Sequence, residues 1–311
     1  MKQILFLDTT HEFLPENLKK EGFEVVHFSG TRDELLKILA GVYGLVVRSR
    51  FKIDKEIIDA APQLHFIARA GAGMENIDVE YAELRGVSCF KSPEGNRDAV
   101  GEHALGMLLN LMNHLKKADV EVRNGIWLRA ENRGTEISGK TVGIIGYGNM
   151  GSAFAEKLSG FNCRVIAYDK YKSGYSDRFV EEKQMEDLFR ECDIVSMHVP
   201  LTDETEFMAD AAFFNAFIKN IHFINTSRGA VCDTKALLDA IDSGKVLSAA
   251  LDVLEWEDHS FENFFENELP EDFKKLIASD RVLLSPHIAG WTHESNRKHA
   301  EVLFEKIMKL V

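Results

Sequence analysis

The first hundred residues alternate short apolar runs with amphipathic stretches. Runs of apolar and β-branched residues predict strands, and apolar residues at helical spacing predict helices. The predicted strands lie at 4–7, 24–28, 45–47, 66–68 and 87–90, and the predicted helices lie at 15–20, 32–39 and 55–60. Strands that alternate with helices in this way are typical of a doubly wound parallel sheet.

A long helical pattern then joins this unit to a second one. Lys116, Lys117 and Glu121 lie near its end, and its apolar face is formed by Val100, Ala104, Met107, Leu108, Leu111 and Leu115. The second unit has predicted strands at 141–145, 164–168, 194–197, 221–224, 247–251 and 282–284, and a final helix at about 292–309 is predicted after the last of them. We therefore predict an α/β protein with two doubly wound parallel-sheet domains.

Composition and charge limit the classes of function. A chain of 311 residues with 45% hydrophobic and 28% charged residues is long enough for two globular domains. Its net charge of −13 argues against nucleic acid and anionic membranes as partners. Met1 leads almost directly into a predicted strand, so we expect no signal peptide, and no apolar run approaches the length of a membrane span.

The four cysteines, Cys89, Cys163, Cys192 and Cys232, are far apart and lack the spacing of metal ligands. Three of them lie in or beside apolar, strand-like segments. We therefore expect buried free thiols, no metal site and a reducing compartment, and hence a cytoplasmic protein.

The sequence Gly146-Tyr147-Gly148-Asn149-Met150-Gly151 stands between a predicted strand and a helix-compatible stretch. In that context a G-x-G-x-x-G motif predicts a dinucleotide site. Gly146 permits a tight turn, Gly148 lets the backbone approach the pyrophosphate, and Gly151 lets the helix pack closely on the strand. The N–H groups at the start of that helix would face the phosphates.

Asp169 follows the next predicted strand, about 18 residues beyond the last glycine of the motif. A carboxylate at this place accepts hydrogen bonds from both hydroxyls of the adenosine ribose and repels a 2′-phosphate. The sequence therefore predicts NAD rather than NADP as the cofactor.

Three polar residues follow apolar strands in the second half of the chain: Arg228, Glu257 and His287. The carboxyl ends of parallel strands are where α/β proteins place their chemistry. Oxidation of a 2-hydroxy acid needs a base for the hydroxyl proton, a cation for the carboxylate, and a carboxylate that orients the base and favours its protonated form. Histidine, arginine and glutamate meet these needs, so we predict these residues as the catalytic set.

Several blocks of the sequence resemble the NAD-dependent D-2-hydroxyacid dehydrogenase family, and they occur in the family's order. The blocks are Val47-Arg48-Ser49-Arg50, Ala68-Arg69-Ala70-Gly71-Ala72-Gly73 through Asp78, Ser138-Gly139-Lys140 before the glycine motif, His198-Val199-Pro200-Leu201-Thr202 with Thr205, Ile224 to Gly229, Ala250-Leu251-Asp252-Val253, and Ser285-Pro286-His287-Ile288-Ala289-Gly290. The chain is most similar to the D-3-phosphoglycerate dehydrogenase group without its C-terminal regulatory domain.

This resemblance implies hydride transfer between nicotinamide and a D-2-hydroxy or 2-keto acid. It implies a split, flavodoxin-like substrate domain formed by residues 1–98 plus 286–311, and an inserted NAD-binding Rossmann domain formed by residues 99–285. Many members of the family dimerise through the coenzyme domain and the linking helix, so a homodimer is expected. The apolar face of that helix is compatible with a dimer, and an ordinary core within the domain explains it equally well.

The resemblance also implies contacts for individual residues. Arg228, Glu257 and His287 match the catalytic arginine, glutamate and histidine. Substrate contacts are implied for Arg48 and for the backbone N–H groups of Ala72 and Gly73. Asp252 is implied to meet the nicotinamide carboxamide. The full set of implied cofactor contacts is Gly146, Gly148, Asn149, Met150, Gly151, Asp169, Val199, Pro200, Thr205, Thr226, Ser227, Asp252 and Gly290.

The substrate is open at this point. Arg48, Arg50 and Arg69 form a basic set that would suit a phosphate-bearing substrate such as 3-phosphoglycerate. Alternatively, Arg69 braces the substrate loop and Arg50 is solvated, which would suit glycerate, glyoxylate or hydroxypyruvate. Two other functions compete: an NAD-sensing binding protein that resembles dehydrogenase-like corepressors, and an NAD-containing hydrolase of thioethers, whose additional groups we do not find.

Three features depart from the family pattern. Asp258 stands where the family often has proline, and Cys232 interrupts the usual Val-Asp pair after Arg-Gly. Residues 255–276 are acidic and aromatic, with Phe261, Phe264, Phe265 and Phe273. This stretch is either a surface excursion whose aromatic side chains pack on the body, or a loop that covers the active site or contacts a neighbouring subunit.

Overall fold

The computed structural model describes residues 1–257 and 269–311. The chain divides into two compact units, one formed by Met1–Arg97 with Trp291–Val311 and the other by Asp98–Gly290. Residues 98 and 286–290 thus belong to the second unit, whereas the sequence analysis assigned them to the first. The shift at 286–290 has a physical cause, since the Asp252 carboxylate holds the backbone of this segment.

The first unit contains a five-stranded parallel sheet in the order β2-β1-β3-β4-β5. Its strands are β1 (Gln3–Phe6), β2 (Glu24–His27), β3 (Val42–Val47), β4 (Phe66–Arg69) and β5 (Ser88–Lys91). This is the flavodoxin-like strand order, which reverses direction between β1 and β3. The fold class predicted for this unit is confirmed.

Helices cover both faces of the first sheet. They are α1 (Phe13–Lys20), α2 (Arg32–Leu36), α3 (Lys55–Ala60), α4 (Val79–Leu84) and the terminal α12 (His293–Leu310). Leu5 and Ile67 lie in the core on one face, while Phe6 and Phe66 pack with Leu303 of α12 on the other. Because helices shield both faces, the strands read as nearly continuous apolar runs.

The second unit contains a seven-stranded parallel sheet in the order β12-β11-β10-β9-β6-β7-β8. Its strands are β6 (Thr141–Ile145), β7 (Arg164–Tyr168), β8 (Glu181–Glu182), β9 (Ile194–Met197), β10 (Ile221–Asn225), β11 (Val246–Leu251) and β12 (Val282–Leu284). Counted from β6, this is the Rossmann order, and it reverses direction between β6 and β9. Ligands of such sheets bind at the carboxyl ends of the strands beside that reversal.

The helices of the second unit are α5 (Arg97–Asn113), α6 (Leu115–Arg123), α7 (Asn149–Lys157), α8 (Met185–Glu191), α9 (Ala211–Ala216), α10 (Thr234–Asp242) and α11 (Glu271–Ala278). The single long helix of the sequence analysis is therefore two helices, since His114 interrupts it in the left-handed conformation with φ 52°. The apolar face of α5 lies in the core of its own unit. In contrast α6, all of whose residues are described, buries none of them.

The cysteines are free, as the sequence predicted: Cys192 and Cys232 are buried, and Cys89 and Cys163 are half-buried. Burial raises the pKa of the Cys89 thiol to about 11 and that of Cys192 to about 12, so both remain protonated at neutral pH. Within the described ranges, none of the helices combines the length and the apolar character that a membrane crossing requires.

Candidate active site

The glycine turn joins β6 to α7 at the reversal of strand order. Gly146 has φ 91°, which lies in the left-handed region that glycine adopts without strain. A Cβ atom on Gly146 would lie 2.7 Å from the carbonyl oxygen of His198, which follows β9. Glycine at this position therefore permits both the turn and the close approach of the neighbouring strand end.

The other two glycines of the motif have different surroundings. A Cβ atom on Gly151 would overlap the carbonyl oxygen of Gly146, so the first turn of α7 lies directly against the glycine turn. A Cβ atom on Gly148 would meet no described atom within 4 Å. Gly148 is also the N-cap of α7 and has no side chain to cap it. The first N–H groups of the helix thus have no side-chain cap, and groups of this kind suit a pyrophosphate.

Asp169 lies beside this turn with its carboxylate oriented by backbone N–H groups. Its Oδ2 accepts a hydrogen bond from the N–H of Tyr147 at 2.8 Å. Its Oδ1 accepts from the N–H groups of Tyr171 at 2.9 Å and Lys172 at 3.1 Å. The carboxylate predicted to bind ribose is therefore held at the glycine motif.

Two buried polar atoms lie at the ends of the adjacent strands β9 and β10. Among the described residues, neither His198 Nδ1 nor Thr226 Oγ1 has a hydrogen-bond partner. The other ring nitrogen of His198 shares a hydrogen bond of 2.8 Å with Ser196 Oγ. Burial lowers the pKa of His198 to about 4, so the imidazole is neutral at pH 7. Unsatisfied groups of this kind, at the carboxyl ends of β9 beside the reversal and of its neighbour β10, fit a polar ligand such as NAD.

The loop after β9 is closed by its own side chains. Thr205 Oγ1 donates to the carbonyl oxygen of Pro200 at 2.6 Å and accepts from the N–H of Thr202 at 2.8 Å. Val199 Cγ1 lies 3.0 Å from the point that a Cβ atom on Gly146 would occupy. The predicted cofactor residues of this loop thus border the glycine turn or shape the loop beside it.

Arg228 lies in a turn after β10 that Asn225 organises. The Asn225 side chain is fully buried. Its Oδ1 accepts from the N–H and the hydroxyl of Ser227 at 3.0 and 2.7 Å, and its Nδ2 donates to the carbonyl oxygen of Arg228 at 2.9 Å. A Cβ atom on Gly229 would overlap the carbonyl group of Leu254. The turn is therefore pressed against the segment that leads to Glu257.

Glu257 and His287 form a pair at the ends of β11 and β12. Glu257 Oε2 lies 2.6 Å from His287 Nδ1, and Glu257 Oε1 accepts from the N–H of Leu254 at 2.6 Å. The two side chains are 17% and 24% exposed, so the pair is largely shielded from water. Because Nδ1 is engaged by the carboxylate, Nε2 is the nitrogen that can exchange a proton with a substrate.

Asp252 holds the turn that carries His287. Its side chain is 1% exposed, and Oδ1 accepts from the Ser285 hydroxyl at 2.6 Å and from the N–H of Ile288 at 2.9 Å. Oδ2 accepts from the N–H of Ala289 at 2.8 Å. The contact of Asp252 with the nicotinamide carboxamide stays a prediction, as does any contact of Gly290, the last residue of this unit.

Sequence reasoning missed two residues of this region. Asn225 is a polar residue at the end of the apolar strand β10, and this change from apolar to polar could have identified it as a site residue. His103 lies on α5, and its Nε2 is 3.0 Å from Ser285 Oγ. A lone histidine on a helix gave no comparable signal, because nothing local marks a partner so distant along the chain.

The first unit contains the predicted substrate residues Ala72 and Gly73. Within the described residues, the N–H groups of Ala72 and Gly73 donate no hydrogen bond. Arg69, 7% exposed, donates from Nη1 to the carbonyl oxygen of Gly73 at 2.9 Å and from Nε to Asn76 Oδ1 at 3.0 Å. Arg69 thus braces the loop whose N–H groups were predicted to bind the substrate carboxylate.

The other two arginines differ in their contacts. Arg50 donates to the carbonyl oxygens of Phe28 at 2.9 Å and of Ser29 and Gly30 at 2.7 Å each, so its guanidinium holds a loop. Arg48 instead lies over the indole ring of Trp291, 4.4 Å from its centroid, in a cation–π contact. Of the three arginines, only Arg48 has a guanidinium without a hydrogen bond to backbone carbonyls in the described part of the chain.

The acidic and aromatic stretch is only partly described. Phe261, Phe264 and Phe265 lie outside the described residues, as does Asp258. Phe273, on α11, is buried and contacts Trp256 edge to face, with ring centroids 6.0 Å apart. Over 1–257 and 269–311, no group of three or more His, Cys, Asp and Glu side chains is arranged to hold a metal ion.

Comparison with known proteins identifies the relatives of this chain. Residues 105–289 match the family described as D-isomer specific 2-hydroxyacid dehydrogenase, NAD binding domain. Hydroxypyruvate reductase of Thermotoga maritima is 37% identical over 94% of this chain and 92% of that protein. D-3-phosphoglycerate dehydrogenase of Archaeoglobus fulgidus is 32% identical over 99% of this chain but only 57% of that protein. The chain thus spans little more than half of this second relative.

The fold has solved counterparts as well. The crystal structure of D-lactate dehydrogenase from Aquifex aeolicus, complexed with NAD and lactic acid, matches with a TM-score of 0.83 and 27% identity over 98% of this chain and 94% of that one. Two parallel α/β units, a glycine turn that fits a pyrophosphate and the family match over most of the second unit agree with one another. The chain belongs to the D-isomer specific 2-hydroxyacid dehydrogenases, a family of NAD-dependent oxidoreductases that act on a CH–OH group.

Proposed function

We propose that this protein reduces a short, unphosphorylated 2-keto acid to the D-2-hydroxy acid with NADH, and that it also catalyses the reverse reaction. The observation that carries the proposal is the 2.6 Å hydrogen bond between Glu257 and His287. A histidine oriented by a carboxylate, with Arg228 in the same unit, supplies the groups that this chemistry needs.

In this proposal His287 is the general acid of keto-acid reduction. NADH, when bound at the glycine motif, would supply the hydride that carbon 2 accepts. His287 Nε2 donates a proton to the oxygen on carbon 2, so the carbonyl becomes a hydroxyl and the histidine becomes neutral. In the oxidative direction, neutral His287 accepts that proton. Glu257 stabilises the protonated imidazole and fixes which ring nitrogen faces the substrate.

Arg228 binds the substrate carboxylate in this proposal. A guanidinium offers two parallel N–H donors to a carboxylate and retains its charge at any working pH. The Asn225 hydrogen bonds and the contact of Gly229 with Leu254 limit how far the Arg228 backbone can move. In the first unit, the N–H groups of Ala72 and Gly73 have no partner within the described residues, and we propose that they bind an anionic group of the substrate.

The contacts of Arg48, Arg50 and Arg69, the basic set of the first unit, favour an unphosphorylated substrate. Recognition of a phosphate group usually requires several convergent donors. Arg50 and Arg69 already donate to backbone carbonyls, so Arg48 is the member of this set of three whose guanidinium suits a second anionic or polar group. The relative from Thermotoga maritima is named a hydroxypyruvate reductase. We therefore propose hydroxypyruvate or glyoxylate, rather than 3-phosphohydroxypyruvate, as the keto acid.

The cofactor assignment rests on the second unit. Asp169 is proposed to accept the two ribose hydroxyls, and the first turn of α7 to bind the pyrophosphate. Val199, Pro200, Thr205, Thr226 and Ser227 are proposed to line the rest of the site. The enzyme is favoured over an NAD-sensing binding protein, because the family and the named relatives are enzymes.

We further propose a homodimer that works in a reducing, cytoplasmic compartment. The free cysteines fit such a compartment. The dimer surface is proposed on α6 and the segment that follows it, where Leu115, Val120, Val122 and Trp127 are exposed. A predominantly monomeric protein in sedimentation velocity would contradict the dimer, and Trp127→Glu is expected to dissociate it.

The direct test is a panel of keto acids with NADH and NADPH. We expect the highest kcat/KM with hydroxypyruvate or glyoxylate and NADH, and at least tenfold less with 3-phosphohydroxypyruvate. A preference for the phosphorylated keto acid would refute the substrate proposal alone. If no 2-keto acid in the panel were reduced, the proposed reaction itself would be wrong.

A further inference from the structure

We propose that His103 is a positioning residue for His287, acting through Ser285 and Asp252. The proposal rests on the proposed function, in which His287 is the general acid and base. His103 Nε2 lies 3.0 Å from Ser285 Oγ and 3.5 Å from Asp252 Oδ1. It belongs to α5, whereas the other two residues follow β11 and β12 at the carboxyl edge of the sheet.

The direction of the hydrogen bonds follows from their chemistry. An ionised carboxylate only accepts, so the Ser285 hydroxyl donates its single hydrogen to Asp252 Oδ1 at 2.6 Å. The contact between Ser285 Oγ and His103 must then be donated by the histidine. His103 therefore carries a hydrogen on Nε2, and the chain of donors runs from His103 through Ser285 to Asp252.

Asp252 in turn holds the backbone of residues 287–289, the turn that carries His287. Its two carboxylate oxygens accept from the N–H groups of Ile288 and Ala289, at 2.9 and 2.8 Å. Its backbone carbonyl accepts from the N–H of His287 at 2.7 Å. Three consecutive backbone N–H groups of the turn thus end on one buried residue.

The conformation of His287 explains why the turn needs this restraint. His287 has φ 52°, in the left-handed region that side chains other than glycine rarely adopt. Such a conformation persists only where the surrounding hydrogen bonds hold it. It also sets the direction in which the imidazole leaves the backbone, and so its approach to Glu257.

His103 supplies the restraint from outside the turn. A serine hydroxyl rotates between staggered positions, and only some of them point at Asp252. The Nε2–H of His103 selects a rotamer in which Ser285 accepts from the helix and donates to the carboxylate. Without that donor, Ser285 and the turn gain freedom, and His287 loses its alignment with Glu257.

The experiment compares four variants of the full-length protein. His103→Phe removes the donor and keeps a ring, His103→Gln keeps an N–H donor, and Ser285→Ala removes the link between His103 and Asp252. Glu102→Gln is the matched control on α5, because its surface ion pair with Lys157 lies outside this network. For each variant we would measure kcat, KM for keto acid and for NADH, and the melting temperature.

We expect His103→Phe and Ser285→Ala to lower kcat about 10- to 100-fold, since small misplacements of a catalytic group have effects of this size. KM for NADH should change less than twofold. His103→Gln should recover kcat to within about threefold of wild type, and Glu102→Gln should match wild type. Equal loss of kcat in the Gln and Phe variants would overturn the proposal, since a merely space-filling role would not favour the variant that donates.

A second readout does not depend on turnover. Nitrogen-15 spectra of histidine-labelled protein report which ring nitrogen carries hydrogen. In the wild type we expect hydrogen on Nε2 of His103 and on Nδ1 of His287. In His103→Phe and Ser285→Ala we expect the His287 nitrogen signals to broaden or to divide between the two ring tautomers. An unchanged His287 spectrum in both variants would overturn the positioning role. If the spectra change as expected while the wild type reduces no 2-keto acid, only the proposed function fails.

Discussion

Glu257 Oε2 lies 2.6 Å from Nδ1 of His287, although the two residues follow different strands. The second oxygen of Glu257 accepts from the N–H of Leu254, so the carboxylate cannot rotate away without losing a backbone hydrogen bond. The imidazole is therefore oriented by a group that is itself anchored. This relationship makes the acid–base proposal testable by single substitutions.

Glu257→Gln keeps the size and the hydrogen-bonding capacity of the side chain but removes its charge. A neutral amide no longer balances the positive charge that His287 carries as proton donor, so kcat for keto-acid reduction should fall about 10- to 100-fold. KM for NADH should change little, because the pair faces the substrate in the proposed mechanism. Steady-state kinetics of both proteins measure the loss. A kcat equal to that of wild type would mean that Glu257 does not assist His287.

Arg228→Lys should lower kcat/KM about 100-fold or more, because an ammonium group cannot form the two parallel hydrogen bonds that a guanidinium offers a carboxylate. NADH binding, measured by fluorescence titration, should change little. Arg281→Lys, at a partly exposed position in the same unit, is the control and should behave as wild type. Near wild-type kinetics in Arg228→Lys would make Arg228 a structural residue.

Asp169→Ser should weaken NADH binding and narrow the preference for NADH over NADPH, because the ribose acceptor and its repulsion of a 2′-phosphate are both lost. The ratio of kcat/KM for the two cofactors is the measurement. Asp169 also accepts three backbone N–H groups, so a melting curve must show that the variant is folded. A wild type that prefers NADPH would refute the role of Asp169 outright.

Gly229→Ala should displace the segment before Glu257, because the new Cβ atom would overlap the carbonyl group of Leu254. We expect a loss of about 1–3 kcal/mol in unfolding free energy together with reduced kcat. Gly106→Ala is the matched control, since a Cβ atom there meets no described atom within 4 Å and alanine favours a helix by about 1 kcal/mol. Urea unfolding measures the unfolding free energy of both variants. Equal stability of Gly229→Ala and Gly106→Ala would contradict the close contact between Gly229 and Leu254.

Three half-buried or buried histidines predict a loss of stability in mild acid. Burial lowers the pKa of His198, His222 and His299 to about 4, whereas an unfolded histidine titrates near 6.5. Between these values the unfolded chain binds protons that the folded chain does not. The unfolding free energy should therefore fall as pH falls from about 6.5 to about 4, by up to about 1.4 kcal/mol per pH unit for each histidine.

His222→Gln isolates one of these contributions away from the site. Glutamine can retain a hydrogen bond to Ser248 Oγ, which lies 2.8 Å from His222 Nδ1, but it cannot titrate. The slope of unfolding free energy against pH should decrease by about one third of the histidine contribution. Urea unfolding at pH 7, 6 and 5 measures the slope, and an unaltered slope in the variant would contradict the shift assigned to His222.

Local apolar pattern determined most of the fold. β6, β7 and β9 have the bounds that the sequence predicted, because inner strands of a parallel sheet are buried on both faces and read as continuous apolar runs. The edge strand β12 also has its predicted bounds. Two elements that the sequence did not predict, β8 and α4, lack such an apolar run. β8 consists of Glu181 and Glu182, and α4 buries only Ala82. The break at His114 was also missed, since a single left-handed residue leaves the apolar spacing almost unchanged.

The sequence by itself also determined the glycine motif, Asp169 and the three candidate catalytic residues, because each follows an apolar strand and strand ends of a parallel sheet share one edge. Only the tertiary structure decided what the three arginines of the first unit do. Arg50 donates to carbonyls of the loop after β2, Arg69 braces Gly73, and Arg48 stacks on Trp291.

The tertiary structure likewise revealed the hydrogen bonds that link His103 with Ser285, and Ser285 with Asp252. The physical reason is the same in both cases. Apolar periodicity records which face of a local element is buried, and that information lies within a few consecutive residues. A hydrogen bond between side chains distant in sequence depends on where the folded backbone brings two atoms to within about 3 Å, and no spacing along the chain encodes that approach.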